Sequence, residues 1–258
     1  MERNKIIKGG SFMNLFTKYF LPENEIKNNL LIIHGLGEHS GRYLKLIKLL
    51  NENGVKVFTF DLPGHGKSEG LRGDISSLEE LFKYIENYIP DNYILFGHSL
   101  GGLLATRFCQ FTEKKPEKLI LSDPAIGNIA KNKVLLAFLK IFKKMQISNR
   151  IKLEDLSTNL NAIEKYKNDI LVHDKITIRT AMMMFNEAEK ALEKIDDLKL
   201  PMLLLYGKED KIINVSEYDK IIQDNITKVS FEKGKHELFE CIYNEKAFYN
   251  KIIEFVNL

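Results

Sequence analysis

The string Gly97-His98-Ser99-Leu100-Gly101 sets a serine between two glycines in the GxSxG spacing, directly after the apolar run YILF and ahead of a segment with helical periodicity. A serine on a tight strand-to-helix turn of this kind is held out at the end of a sheet, where its hydroxyl can attack a carbonyl carbon. A hydroxyl attacks only when a base takes its proton, and six histidines are available. The order nucleophile, acid, histidine leaves His173 and His236 after Ser99. His236, in FEKGKHELFE, follows a candidate strand and precedes a helical segment, whereas His173 lies in a long stretch without strands and reads as a solvated or capping residue. Asp210, in LLLYGKEDKII, falls just past a strand end and is the first candidate for the acid that orients His236; Asp123, after the strand LILS, is its rival. Acyl transfer builds negative charge on the carbonyl oxygen, so two amides must already point at it. Leu100, at a helix start, supplies one, and Leu36, between Gly35 and Gly37 in LLIIHGLGE, supplies the other.

These residues need a frame that brings them to one place. Short apolar, β-branched or aromatic runs occur at Leu30 to Ile33, Val55 to Phe60, Tyr93 to Phe96, Lys118 to Leu121, Met202 to Tyr206 and Lys228 to Phe231. Helical spacing occupies Tyr43 to Asn51, Leu78 to Tyr88, Leu103 to Phe111, Tyr218 to Gln223 and Ala247 to Val256. Strand alternating with helix predicts an α/β fold with a mostly parallel central sheet and helices on both faces. Ser11 to Phe20 alternates loosely and fits an antiparallel edge strand. The alternation breaks after Asp123-Pro124 and resumes at Pro201, so one domain over 1–258 carries an insertion over about 126–194. Lys133 to Met145 is apolar around most of a helical circumference, and Thr177 to Lys194 contains Met182, Met183, Met184 and Phe185. These read as a small local core that also makes an adaptable apolar lid suited to an acyl chain. Lys140, Lys143 and Lys144 beside Leu139, Ile141 and Phe142 suggest peripheral contact with an anionic membrane surface.

Composition narrows the classes further. Thirty-eight basic residues face 35 acidic ones for a net charge of +3, with no concentrated basic surface for nucleic acid. Cys109 and Cys241 lie far apart and read as buried hydrophobes. The opening MERNKIIKGG lacks the apolar core and cleavage site of a secretory signal, and no 18-residue apolar run exists, so a cytoplasmic enzyme without a membrane span is expected.

Five ordered segments, HGLGEHSGRY at 34 to 43, DLPGHGKSEGLRG at 61 to 73, GHSLGG at 97 to 102, YGKEDKII at 206 to 213 and KHELFE at 235 to 240, resemble the monoacylglycerol lipase and lysophospholipase family of α/β-hydrolases. The resemblance spans nearly the whole chain. It implies the α/β-hydrolase fold with a helical cap, an acyl-chain tunnel, and hydrolysis of a monoacyl ester of glycerol or a lysophospholipid by a Ser-His-Asp triad through an acyl-enzyme. Neither metal nor cofactor is required. It also implies that Glu38 and Arg42 bind the glycerol end of the substrate. Phe239 stands where some members carry a second histidine touching the glycerol, which weakens the case for strict glyceride preference. DLPGHGKSEG reads as a loop-shaping element. A thioesterase, a small-ester carboxylesterase or a serine aminopeptidase could use the same residues, whereas a non-catalytic binding module would have no need of a complete triad. Oligomeric state has no signature in the sequence.

Overall fold

A computed structural model describes residues 2–5, 14–129 and 139–258. Ten strands form: β1 (Glu2–Lys5), β2 (Thr17–Phe20), β3 (Asn28–Ile33), β4 (Val55–Phe60), β5 (Ile94–His98), β6 (Lys118–Ser122), β7 (Gln146–Ser148), β8 (Lys175–Thr177), β9 (Met202–Gly207) and β10 (Ile226–Phe231). Eight of them make one sheet in the order β1-β2-β4-β3-β5-β6-β9-β10. The pairs β1–β2 and β2–β4 are antiparallel and the rest parallel. The expected edge strand near residue 20 is therefore present as β2, but β1 covers it; residues 11–13 of that segment lie outside the described residues.

Period-two alternation sends successive side chains to opposite faces. In β3, Leu31 and Ile33 enter one core cluster and Leu30 and Ile32 the other; β9 divides Met202 and Leu204 from Leu203 and Leu205 in the same way. On the first face lie α2 (Leu78–Tyr88) and α3 (Leu100–Phe111), contributing Leu81, Ile85, Leu103 and Phe108. The second face is covered by α1 (Leu44–Glu52) and the C-terminal helix α6 (Glu245–Asn257). Ser77 caps α2 by accepting from the Glu80 amide at 3.2 Å, with Glu79 and Glu80 in the first turn, as the helix dipole favours. Where Tyr218 to Gln223 suggests a helix, the chain makes only a 3₁₀ segment, Val215–Lys220. Ile221 is buried while Ile222 is exposed, and the buried Tyr218 hydroxyl donates to the Pro124 carbonyl, so packing of individual side chains overrides the helical spacing.

Between β6 and β9 the chain leaves the sheet. It forms the antiparallel pair β7–β8, then helices α4 (Leu160–Asn168) and α5 (Ile178–Glu193). Of the stretch Lys133 to Met145, residues 133–138 lie outside the described residues, and the remainder holds a short 3₁₀ turn, Leu139–Phe142. Met183 and Met184 pack against the main cluster of the body together with Ala188 and Ala191, so the methionine run belongs to the body's core rather than to a separate local one. Among the described residues no helix is long and apolar enough to cross a membrane. Cys109 and Cys241 are both buried and unpaired.

Candidate active site

Ser99 sits between β5 and α3 with φ +53°, a left-handed value that costs a non-glycine residue of order 1–3 kcal/mol. The surroundings over-determine it. Its amide donates to the Ser122 carbonyl, while its own carbonyl accepts from the Leu103 and Ala125 amides. The glycine at 101 is needed for space: a methyl there would stand 2.1 Å from the Ile33 carbonyl oxygen. The turn can therefore press against β3 only with glycine at this position.

Ser99, His236 and Asp210, the set expected from chain order, meet at the carboxyl ends of β5, β9 and β10. His236 Nε2 is 2.9 Å from Ser99 Oγ, and its Nδ1 is 2.7 Å from Asp210 Oδ2. Asp210 Oδ1 accepts from the Ile212 and Ile213 amides, which fixes the carboxylate behind the imidazole. Burial by itself would lower the His236 pKa, but the Asp210 charge and hydrogen bond outweigh it and hold the pKa above the ordinary histidine value. Asp210 is likewise pushed up by burial and pulled down by His236, ending below the ordinary carboxylate range. The rival Asp123 does not bond the imidazole; its Oδ1 accepts from the Gly207 amide at 2.8 Å, and it lies against Asp210 from behind. His173 stands away from the serine, its Nε2 3.2 Å from the Gly64 carbonyl oxygen and its Nδ1 accepting from the Lys175 amide, in keeping with a capping role.

Leu100 is the first residue of α3, where an amide has no carbonyl within the helix to bind. The loop after β3 closes on the same serine: a methyl on Gly35 would lie 3.3 Å from Ser99 Cβ, which brings Leu36, the next residue, alongside. Gly37, at φ +79°, turns the loop under the insertion, where its carbonyl accepts from the His173 amide at 2.8 Å.

Glu38 and Arg42, expected from the resemblance to bind the glycerol end of the substrate, are paired with each other. Glu38 is 2% exposed; Oε1 accepts from the Gly35 amide and the Tyr43 hydroxyl, both at 2.6 Å, and Oε2 from Arg42 at 2.9 Å. The buried Arg42 guanidinium also forks onto Glu237, with NH2 donating to Oε2 at 2.7 Å, and lies 4.6 Å over the Tyr166 ring of α4. Burial would raise Glu38, but the cation beside it wins and holds the carboxyl at about 2. Both Glu38 oxygens are thus bonded within the protein, and the guanidinium is sandwiched between two carboxylates and an aromatic ring. Glu237, one residue past His236, was not singled out by the sequence; it is 195 positions from Arg42, and no local pattern signals such a pair. Phe239 is buried against Tyr43 and edge-on to His98, so this position contributes packing. Asp61 of DLPGHGKSEG binds the Ser40 amide and hydroxyl and the Lys67 amide, tying two loops together as a loop-shaping residue should.

The model of the family described as serine aminopeptidase, S33, matches residues 24–241. A monoglyceride lipase from Rattus norvegicus is 31% identical over 217 residues, covering 77% of this chain and 70% of its own. Phospholipase YtpA from Bacillus subtilis is 28% identical over 237 residues, covering 85% and 91% respectively. Among solved structures, a monoacylglycerol lipase from Paleococcus ferrophilus superposes with a TM-score of 0.87 at 35% identity, covering 95% of this chain and 98% of that one.

Proposed function

We infer the function from one premise: this chain belongs to the serine aminopeptidase S33 family as a monoglyceride-lipase-like α/β-hydrolase, and it is a serine ester hydrolase. On that basis we assign Ser99 as nucleophile, His236 as general base and then acid, and Asp210 as the carboxylate that orients and stabilises the imidazolium. The observation that carries the assignment is the unbroken relay of 2.9 and 2.7 Å from serine to histidine to aspartate. His236 takes the Ser99 proton as Oγ attacks the ester carbonyl, and the Leu36 and Leu100 amides receive the oxyanion. Return of the proton to the leaving alcohol gives an acyl-Ser99, which water, activated by the same histidine, hydrolyses.

For substrate we propose a monoacyl lipid, a monoacylglycerol or a lysophospholipid, supported by the lipase and phospholipase activities for which the relatives are named. The stretch 126–194 is assigned as a cap that shapes the acyl site, and Glu38 and Arg42 as supports of the oxyanion loop rather than ligands of the head group. The exposed Ile141, Phe142 and Met145 with Lys143 and Lys144 favour contact of this cap edge with anionic lipid; Ile141 is 87% exposed. Fluorophosphonate labelling tests the nucleophile: wild type should label and Ser99→Ala should not, and labelling that persists would overturn it. Turnover across monoacylglycerols, lysophospholipids, nitrophenyl acetate, acyl-CoA and an aminoacyl amide tests the substrate class; preference for the last three would sink the lipid reading. Binding to phosphatidylserine vesicles should fall when Lys143 and Lys144 become glutamine, and unchanged binding would remove the membrane contact alone.

A further inference from the structure

Asp123 has no part in the relay, yet it is the most constrained acid near it. Its side chain is fully buried, with 0% exposure. Its backbone is one of four non-glycine residues with positive φ among the described residues, at +41°, and Ser99 is another. The strain is sustained by the chain around it: the Asp123 amide donates to the Leu205 carbonyl at 2.8 Å, and the next strand's Gly207 amide donates to Oδ1. An outlier held this firmly beside a reacting site calls for a functional account.

The chemistry around the carboxyl supplies it. Asp123, Asp210 and His236 each offer an atom within 4.8 Å of the other two. The titratable groups facing Asp123 are Asp210, His236, Cys241 and Tyr218; only His236 can bring a positive charge, and its Nδ1 is engaged by Asp210 at 2.7 Å. The partners of Asp123 are neutral donors: the Gly207 amide and, more distantly, the Ser122 hydroxyl at 3.4 Å. Two carboxylates this close in a buried site cannot both ionise, because each disfavours the charge of the other. Asp210 has the histidine and two amides to stabilise its charge, so Asp123 is the one that keeps a proton.

We propose that Asp123 is a positioning residue for the hydrolysis: a neutral carboxylic acid whose hydroxyl donates to the Asp210 carboxylate, fixing that carboxylate and moderating its pull on His236. The proton stays on Asp123 throughout the cycle, and no bond to it breaks. Burial and the neighbouring Asp210 charge both push the Asp123 pKa far above the carboxylate range, in agreement with the geometry. The proposal rests on Asp210 and His236 working as assigned above.

The charge of Asp123 can be read from its isostere. Asparagine tolerates the left-handed backbone, keeps a donor toward Asp210 and an acceptor for Gly207, and carries no charge. The His236 ring should be titrated by NMR in wild type, Asp123→Asn and Asp123→Ala, alongside the acidic limb of kcat/KM. If Asp123 holds its proton, Asp123→Asn changes no charge, and the His236 pKa stays within a few tenths of a unit. A fall of about one to three units, the size expected for removing a negative charge at 4–6 Å, would overturn the proposal. Asp123→Ala takes the donor from Asp210, so His236 should titrate at higher pH by about half a unit and kcat/KM should fall about tenfold, with asparagine rescuing both. An alanine variant with lowered activity and an unmoved histidine would mean that Asp123 only fills space. Should alanine fail to fold, the asparagine arm still decides the charge. The NMR titration needs no turnover, so a wrong nucleophile, revealed by an active Ser99→Ala, is distinguishable from a wrong role for Asp123.

Discussion

The sheet body and the segment between β6 and β9 are held by different forces. The body buries two continuous apolar clusters on its faces, and its polar site residues are multiply hydrogen-bonded. The inserted segment adds polar ties to the body: Glu187 to Arg107, Arg179 to Asp74, His39 to Asp169, and the Tyr166 ring beneath Arg42. Its apolar share is Ile126 and Ile129 near its start and the face of α5 bearing Met183, Met184, Ala188, Ala191 and Leu192. Such a division suits an enzyme whose chemistry must be rigid and whose substrate access must not be, because elements with few buried apolar contacts open locally at low cost. Under the proposed function, reaction type belongs to the body and selectivity to the insertion.

The largest expected effects lie in the body. Ser99→Ala and His236→Ala should each lower kcat by about a thousandfold or more, and Asp210→Asn by roughly 10³ to 10⁴, with thermal unfolding nearly unchanged. Near wild-type turnover by any of the three would break the assignment of chemistry to these residues. Next comes the insertion. If it forms the acyl site, each added methylene contributes about 0.8 kcal/mol, so kcat/KM should climb a hundredfold or more from two-carbon to long acyl esters. A flat series would move selectivity out of the insertion altogether.

A smaller effect separates the two forces directly. Glu187→Leu leaves the nearly buried Arg107 without its carboxylate, and losing one partner of such a pair is costly. Amide exchange in α5 should quicken by roughly tenfold to a hundredfold while β3 and β5 keep their protection, and Arg107→Met in the same chain should restore most of it. Equal loosening of α5 and the central strands would mean that body and insertion open as one unit. The smallest effect is one of pH. Because Asp210 holds the His236 pKa above the ordinary value, the neutral base is present only above that raised pKa, and kcat/KM should rise with pH through a midpoint above about 6.5. A midpoint well below that would mean that burial, not Asp210, governs the base.

Most of the frame was legible in the residues. Val55–Phe60 and Leu78–Tyr88 form over the ranges their patterns predict, the strand feeding both core clusters and the helix presenting one side to the core. Ser99, Asp210 and His236 are reachable from sequence because a strained turn and a fixed chain order restrict the choices. Tyr218 to Gln223 departs from its helical spacing because Tyr218 and Ile221 are pulled into the body and Ile222 is left outside. The Arg42–Glu237 fork and the approach of Asp123 to Asp210 join distant parts of the chain, and nothing in the residues flanking either pair announces them. The internal partners of Glu38 are hidden for a related reason: they depend on Tyr43 and Arg42 folding back over it.

The inserted segment departs from β6 and returns at β9, and these strands are direct neighbours in the sheet, with Leu119 opposite Met202. The pair is parallel, so the segment leaves at the carboxyl end of β6, where Ser122 faces Leu205, and must come back along the sheet before it enters the amino end of β9 at Met202. The entropy of closing such a loop grows only with the logarithm of its length, so doubling the insertion costs the fold about 0.6 kcal/mol. Descendants of this chain can lengthen, shorten or exchange the segment while β6 and β9 keep their pairing, so the same hydrolytic machine can be offered to new esters over evolutionary time.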